Sequence, residues 1–377
     1  MPTSGRGAFE HAMPVLPAPV RVPSPGVPHA GSPPPGSAPA LDRDAGSDAL
    51  TAHAAIVSRA EALLLASPGA EFREAPLLGG AQVGTIQVPD SVHSGDLFAP
   101  ILVADALLDM DLDARHPAIE ATVQRIVRHR QSIDRSRPAG ADRYYDLSGD
   151  VEELAQILLL FVRLSRRDLI AAHCAPPLAV LLAYAEADGV LPTWVLPNNA
   201  APDAVETVAS LVYALARWDA RRFLGMIVGG ARWVADRQQP DGSWAAAAGA
   251  DPLYGTWLAL RLLGAVMPNH PAVTRGASFL HANRQAGRGW GVDGDNPLAT
   301  ALAVLALRAT RTELPQALPS EARAVLLPGA TGWPARPLLR FARTAAGLPV
   351  LVDHGSSTVT TLFALKASEA LETGRAH

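Results

Sequence analysis

The chain repeats one pattern about every fifty residues, and this period constrains the fold more than any other feature of the sequence. Six strongly apolar segments each follow a short polar or proline-containing signal; they begin at Asp96, Asp150, Asp203, Pro252, Pro297 and Ser356. Successive starts are 54, 53, 49, 45 and 59 residues apart. Asp, Ser and Pro are typical of the first turn of a helix, because they cap or open it. The pattern therefore predicts six apolar helices in series.

A second set of segments lies between most of the apolar ones and is more amphipathic. Examples are residues 116–130, 222–238 and 272–283, whose Arg, Asp and Gln positions suit a water-facing layer. Six inner and about six outer helices predict an all-α fold, an (α/α)6 barrel, since each hairpin needs its neighbours to bury its apolar face. An open solenoid or an irregular helical domain is the alternative, because the period does not specify closure.

Composition restricts the domain organisation and the partners. Hydrophobic residues make up 49% of the chain and charged residues 18%, as in a protein with a large folded core. The first 40 residues contain 11 of the 33 prolines and few large apolar side chains, so we expect a disordered tail over 1–45 and a single barrel domain over 46–377. A net charge of -4 gives no support for nucleic-acid binding.

The location follows from three further observations. The single cysteine, Cys174, cannot form an internal disulfide, and the N-terminus lacks the order of a signal peptide. Every long apolar run is interrupted by Arg or Asp before 18 residues, so a membrane-spanning helix is not expected. We therefore predict a cytoplasmic protein, with peripheral membrane contact left open and the oligomeric state unspecified.

A tryptophan-containing loop follows several of the amphipathic segments. It is clearest as Gln238–Trp244, QQPDGSW, and recurs in weaker form at Trp194, Trp290 and Trp333, with tryptophans 50, 46 and 43 residues apart. A glutamine at a helix end can bind free carbonyls, and the tryptophan can lie over the N-terminus of the next helix. We interpret these loops as structural.

The stretch Gln238–Leu260, QQPDGSWAAAAGADPLYGTWLAL, resembles the QW repeat and the following pocket helix of squalene-hopene cyclases and related class II terpene cyclases. The similarity continues through GWGVDGDNPLATALAVLAL, residues 289–307. Squalene-hopene cyclases have two barrel domains, and this chain has length for one, so it resembles their catalytic barrel. The resemblance implies an isomerase of terpenoid biosynthesis that cyclises an isoprenoid by protonating an alkene or epoxide.

The family's acid lies in a DxDD motif at the start of an inner helix, and the matching position here reads Asp150-Val151-Glu152-Glu153. By this resemblance Glu152 is the proton donor, with Asp150 and Glu153 beside it. Clustered carboxyls cannot all ionise, and burial in an apolar barrel favours the protonated acid further. The alternative is that Asp150 caps the helix and Glu152 and Glu153 are ordinary acids of its first turn.

The family supports its acid with an Asp and a His, positions that fall here at Glu206 and Ser210, and Asp203 could serve instead. A surface-facing Glu206 is the alternative. The family also lines its cavity with aromatic rings that stabilise cations. Candidates here are Tyr254, Trp257, Tyr213, Phe161, Phe98 and Phe363, each of which could instead be a core residue. So sparse a set favours a smaller isoprenoid than squalene.

Other patterns add little chemistry. The acidic run Asp109–Asp113 is interpreted as a solvated turn, and Cys174 as a core thiol. We predict no cofactor, with Mg²⁺ involved if the substrate carries a diphosphate. The competing functions are a non-catalytic isoprenoid-binding or scaffold protein, and a barrel carbohydrate enzyme with converging acid and base carboxylates.

Overall fold

The computed structural model describes residues 97–135, 151–183, 204–246, 251–285, 288–291, 295–312, 314–315, 318–327, 332–345 and 348–373. All of them belong to one compact unit, 44–377. The predicted tail, Asp150, Asp203 and the loop around Trp194 lie outside the described residues. The domain boundary at residue 45 therefore stays a prediction.

The described residues are mainly helical. In chain order the helices are α1 (Phe98–Asp109), α2 (Pro117–Arg135), α3 (Val151–Arg163), α4 (Arg167–Leu169), α5 (Ala175–Ala183), α6 (Val205–Asp219), α7 (Leu224–Asp236), α8 (Pro252–Val266), α9 (Pro271–Ala282), α10 (Pro297–Ala309), α11 (Leu318–Leu326) and α12 (Ser357–Thr373). A π-helical turn, Ile170–Cys174, joins α4 to α5. The six apolar segments thus form α1, α3, α6, α8, α10 and α12.

These six helices form a closed inner ring. Each packs against the next, and α12 returns to pack against α1. The outer helices α7, α9 and α11 each contact the inner helices on both sides of them in sequence. The prediction of an (α/α)6 barrel is confirmed, and closure excludes the open solenoid.

The helix starts have the predicted chemistry where the structure describes them. Asp251 accepts a hydrogen bond from the backbone N–H of Leu253, and Asn296 accepts two from the first turn of α10. Proline opens both α8 and α10, where it costs no helical hydrogen bond. Both faces of an inner helix are covered, which explains why α10 is apolar around nearly its whole circumference.

A β-hairpin precedes α12 and was not predicted. Strands β1 (Arg336–Ala345) and β2 (Leu348–Ser356) pair antiparallel, from Arg336 opposite Ser356 to Ala345 opposite Leu348. The valine-rich segment LPVLV beside a glycine is typical of a strand, a signal that the helical period obscured. The hairpin is thus an addition to an otherwise all-α barrel.

Three tryptophan loops bind their neighbours in the same way. The indole N–H donates to a carbonyl in the last turn of the preceding outer helix: Trp244 to Val234 at 2.7 Å, Trp290 to Leu280 at 2.8 Å and Trp333 to Leu326 at 3.3 Å. The backbone N–H of each tryptophan donates to a threonine Oγ1 on the next inner helix: Thr256, Thr300 and Thr361, at 2.9 to 3.0 Å. Each loop therefore joins an outer helix to the following inner one.

The glutamine of the clearest loop differs from the expectation. Gln238 donates at 2.9 Å to the carbonyls of Gly242, within the loop, and Ala272, at the start of α9. The carbonyl at the end of the preceding helix is bound by the indole instead. Gln238 therefore links the loop to the next outer helix.

Within the described part of the chain, every helix is too short or too polar to cross a membrane.

Candidate active site

A cavity lies among the four inner helices α1, α3, α6 and α8. Its walls consist of Ile101, Leu102, Asp105, Ala155, Gln156, Leu159, Ala209, Ser210, Tyr213, Tyr254, Trp257, Leu258 and Arg261. Four of the residues singled out in the sequence, Ser210, Tyr213, Tyr254 and Trp257, are therefore brought together. Apolar walls with a few polar groups are typical of a small-molecule site.

Glu152 lies just behind the wall of this cavity. It is the second residue of α3 and is only 3% exposed. The phenol of Tyr254 donates a hydrogen bond to Glu152 Oε1, and Gln156 Nε2 lies 3.5 Å from the same oxygen. Tyr254 and Gln156, which both contact this carboxyl, line the cavity. Glu153 is only half-buried.

A second buried carboxyl occupies the matching position on the neighbouring helix. Glu206 is the second residue of α6 and 2% exposed, so the surface-facing interpretation of this residue is wrong. Because α3 packs against α6, two buried acids lie at the same end of the barrel. Ser210 lies one turn farther along α6, in the cavity wall.

The aromatic candidates divide into a cavity group and core residues. Trp257 packs edge-on against Phe363, with centroids 5.3 Å apart, and lies 6.0 Å from Tyr254. Phe161 is fully buried outside the cavity walls, which is the core alternative. The side chain of Phe98 lies outside what the structure describes.

Each residue of the segment Tyr254-Gly255-Thr256 contacts a neighbouring helix or loop. Tyr254 binds Glu152, and Thr256 accepts from the backbone of Trp244. A Cβ on Gly255 would lie 2.7 Å from the Trp244 carbonyl oxygen, so a larger residue would push the loop away. The three residues thus connect the tryptophan loop to the buried acid.

A buried ion cluster at one end of the cavity was missed in the sequence. It consists of Asp105, Asp109, Arg163, Arg261 and Lys366, from four inner helices. Arg163 binds Asp105 Oδ1 at 2.5 Å and Asp109 Oδ1 at 2.6 Å, and Lys366 contacts Asp109 closely. Arg261 and Lys366 each lie 3.7 Å from Asp105 Oδ2. Asp105 and Arg261 also line the cavity.

The cluster sets the charge of its members. Burial by itself raises the pKa of Asp105, but Arg163, Lys366 and Arg261 together hold it well below the ordinary value. Burial likewise opposes the charged form of Arg163, while Asp105 and Asp109 raise the pKa of its guanidinium. Asp105 and Arg163 therefore stay ionised at neutral pH.

The acidic run Asp109–Asp113 is only partly the solvated turn that we predicted. Asp111 and Asp113 are exposed, but Asp109 is 7% exposed and belongs to the ion cluster. The spacing of Asp105 and Asp109, four residues apart on an apolar helix, was the available signal. Among the described residues, no group of three or more His, Cys, Asp or Glu side chains is placed to hold a metal.

Cys174 is buried in the π-helical turn. Burial raises the pKa of its thiol to about 12, with a small opposing effect of Arg130. The interpretation of Cys174 as a core thiol is confirmed.

The squalene-hopene cyclase C-terminal domain matches this chain over residues 198–314. That range holds α6 to α10, and with them the Trp244 and Trp290 loops, Tyr254 and Arg261. Residues 198–314 are similar to that squalene-hopene cyclase domain. The match supports the family resemblance of the tryptophan loop and the YGT segment.

Solved class II terpene cyclases share the fold of this barrel. The type II terpene cyclase MstE from Scytonema, in complex with geranylgeranyl dihydroxybenzoate, is 16% identical, with a TM-score of 0.61 over 86% of this chain and 98% of its own. A protein from Actinoplanes is 20% identical, with a TM-score of 0.58 over 85% of this chain and 100% of its own.

An ent-copalyl diphosphate synthase from Streptomyces platensis is a longer relative. It is 21% identical, with a TM-score of 0.50, and the match covers 73% of this chain but 50% of that protein. The present chain thus spans half of the synthase. At these identities the likeness shows the fold, and the chemistry must be argued from the chain's own residues.

Proposed function

We propose that this protein is a class II terpene cyclase that cyclises an isoprenoid, with Glu152 as the acid that protonates an alkene or epoxide. The proposal depends on one observation above the others. The buried carboxyl of Glu152 is hydrogen-bonded to Tyr254, in the wall of a cavity that also contains Trp257.

The protonation state of Glu152 results from opposing effects. Burial disfavours a negative charge on Glu152. The N-terminus of α3 and the hydrogen bond from Tyr254 favour it. In our proposal the acid is held protonated in the resting enzyme, with Oε1 accepting from Tyr254 and Oε2 carrying the proton that is transferred.

The cavity supplies what the resulting cation needs. The face of Trp257 stabilises positive charge, and the aliphatic walls exclude water that would quench it. Asp150, Glu153 and Asp203 remain proposed supporting acids around Glu152, and Glu206 and Ser210 take the positions of the family's Asp and His. The tryptophan loops correspond, in this proposal, to QW motifs that hold the barrel around the cavity.

The substrate class follows from the relatives and the cavity. MstE binds a geranylgeranyl compound as its substrate. We propose an isoprenoid smaller than squalene for this chain, consistent with its few cavity aromatics. Protonation itself uses no metal, and Mg²⁺ enters only if the substrate carries a diphosphate. The cytoplasmic location, with peripheral membrane contact, likewise remains a prediction.

The test is product formation from farnesyl diphosphate, geranylgeranyl diphosphate and squalene, first without added metal and then with Mg²⁺, followed by mass spectrometry. Glu152→Gln keeps shape but removes the acid, so turnover should fall by at least about a hundredfold while folding is unchanged. Glu120→Gln is the control, because Glu120 is an exposed acid in the first turn of α2. Full activity in Glu152→Gln would refute the acid assignment. Binding of an isoprenoid without turnover by the wild type would favour the binding-protein function.

A further inference from the structure

We infer that the ion-cluster end of the cavity is a binding site for an oxyanion, a carboxylate or phosphate carried by the substrate, with Arg261 as its receptor. This inference deepens the proposed function, because it adds a polar head group to the isoprenoid.

Arg261 is the most weakly paired cation of the cluster. Its nearest carboxylate oxygen, on Asp105, is 3.7 Å away, whereas Arg163 binds its two carboxylates at 2.5 and 2.6 Å. The Nε of Arg261 is buried and has no hydrogen-bond partner among the described residues. A buried guanidinium N–H without an acceptor is costly, so the cluster does not fully satisfy the hydrogen bonds of Arg261.

The orientation of Arg261 suits recognition of a planar or branched anion. Its guanidinium lies 4.4 Å from the ring centroid of Tyr213 and 5.6 Å from that of Trp257, and its side chain is 11% exposed. Because the two rings hold the guanidinium in place, little side-chain entropy would be lost on binding. The fork of N–H groups can then donate two parallel hydrogen bonds to one carboxylate or phosphate.

The surrounding charges permit an added anion. Asp105 is the acid nearest to Arg261, and Arg163 and Lys366 already neutralise it. Asp109 is bound by the same two cations. Glu369 is a further buried acid, one turn beyond Lys366 on α12. The five cluster residues alone carry three positive and two negative charges.

The position of Arg261 also sets the direction of the substrate. Tyr254 and Arg261 are seven residues apart on α8, which places them about 10 Å apart along the helix axis. An oxyanion on Arg261 therefore directs the hydrocarbon chain toward Glu152. A buried cation at this end also disfavours a carbocation there, so ring closure is kept near Trp257 and Glu152.

The experiment compares ligands with one hydrocarbon chain and different head groups. Geranylgeranoic acid, geranylgeranyl monophosphate and geranylgeraniol are titrated by calorimetry against the full chain. We expect at least one anion to bind about tenfold or more tighter than the alcohol, and the two anions distinguish carboxylate from phosphate. Arg261→Met should remove that preference while the alcohol still binds, and Arg261→Lys should keep part of the preference.

The control is Arg284→Met, since Arg284 is a mostly buried arginine with one acidic partner, Glu321, away from the cavity walls. It should leave all three affinities unchanged. Melting temperatures establish that each variant is folded, and Arg261→Lys serves if Arg261→Met is not. Equal affinities for the alcohol and both anions, or an anion preference that survives Arg261→Met, would overturn the inference while the isoprenoid function stands. Binding of none of the three ligands would overturn both.

Discussion

Tyr254 on α8 donates its phenolic hydrogen bond to the buried carboxyl of Glu152 on α3, across 102 residues of sequence. Helix α6 lies between these two helices in the ring, so the bond reaches across the interior of the barrel. A single contact thus ties the proposed acid to the helix that carries Trp257 and Arg261.

Removal of this hydroxyl should affect the acid more than the fold. Tyr254→Phe keeps the ring beside Trp257 but removes the hydrogen bond from the phenol to Glu152, which should cost about 1 to 3 kcal/mol of unfolding free energy. Turnover should fall about tenfold to a hundredfold, since the acid is no longer held in position. Urea denaturation and the cyclisation assay measure the two effects. Tyr213→Phe is the matched control, and equal activity in both variants would contradict the positioning role.

Shortening the acid tests how closely its position is fixed. Glu152→Asp restores the residue type of the family motif but withdraws the carboxyl by about one bond length from Tyr254. We expect reduced but measurable turnover, well above that of Glu152→Gln. Product analysis of both variants under identical conditions tests whether Glu152→Asp is more active than Glu152→Gln. A glutamine variant as active as the aspartate variant, with both near wild-type turnover, would show that a carboxylic acid is not required at residue 152.

The tryptophan loop should be a major source of stability. Trp244 is fully buried, so Trp244→Ala should cost about 3 to 5 kcal/mol. Trp244→Phe keeps most of the volume but leaves the Val234 carbonyl without its indole partner, and should cost about 1 to 3 kcal/mol. Chemical denaturation gives both values. Trp233, half-buried under Arg237, is the control, and Trp233→Ala should destabilise less.

The ion cluster should make part of the stability pH-dependent only in strong acid. The pKa of Asp105 is lowered in the folded state, so its contribution is present above the ordinary value of 3.8 and is lost only as the pH falls toward the lower folded value. Asp105→Asn should therefore destabilise at neutral pH by about 3 to 5 kcal/mol. The difference from wild type should narrow only below pH 3.8. Melting temperatures between pH 7 and pH 3 test this, with the exposed Asp168→Asn as a control that changes little.

Cys174 offers a direct probe of barrel opening. Because burial raises the pKa of this thiol to about 12, it should not react with a disulfide reagent at pH 8 while the protein is folded. Reaction should appear in denaturant together with the loss of helical circular dichroism. Rapid labelling of the native protein would contradict the buried position.

The sequence predicted those features that repeat along the chain. Six apolar segments after Asp, Pro or Ser signals are local patterns, and each became an inner helix, since capping and periodicity act within one turn. The tryptophan loops were visible for the same reason. The hairpin before α12 was hidden, because a short valine-rich run resembles a buried helix when the period is expected to continue.

The candidate site could be predicted only in part. The resemblance to class II cyclases directed attention to Glu152, Tyr254 and Trp257, and the structure places these three close together. The resemblance did not reveal that Glu206 is buried. A glutamate in a first turn is usually exposed, and its burial depends on how α3 packs against α6.

Sequence alone determined the helices, their order and the loops between them, because each of these depends on neighbouring residues. Tertiary structure decided the closure of the ring, the bond between Tyr254 and Glu152, and the ion cluster that joins Asp105 to Lys366. The lone lysine of the chain carried no signal by itself. Its charge acquires a partner only when α12 packs against α1, since a buried ion pair is specified by two residues that sequence leaves far apart.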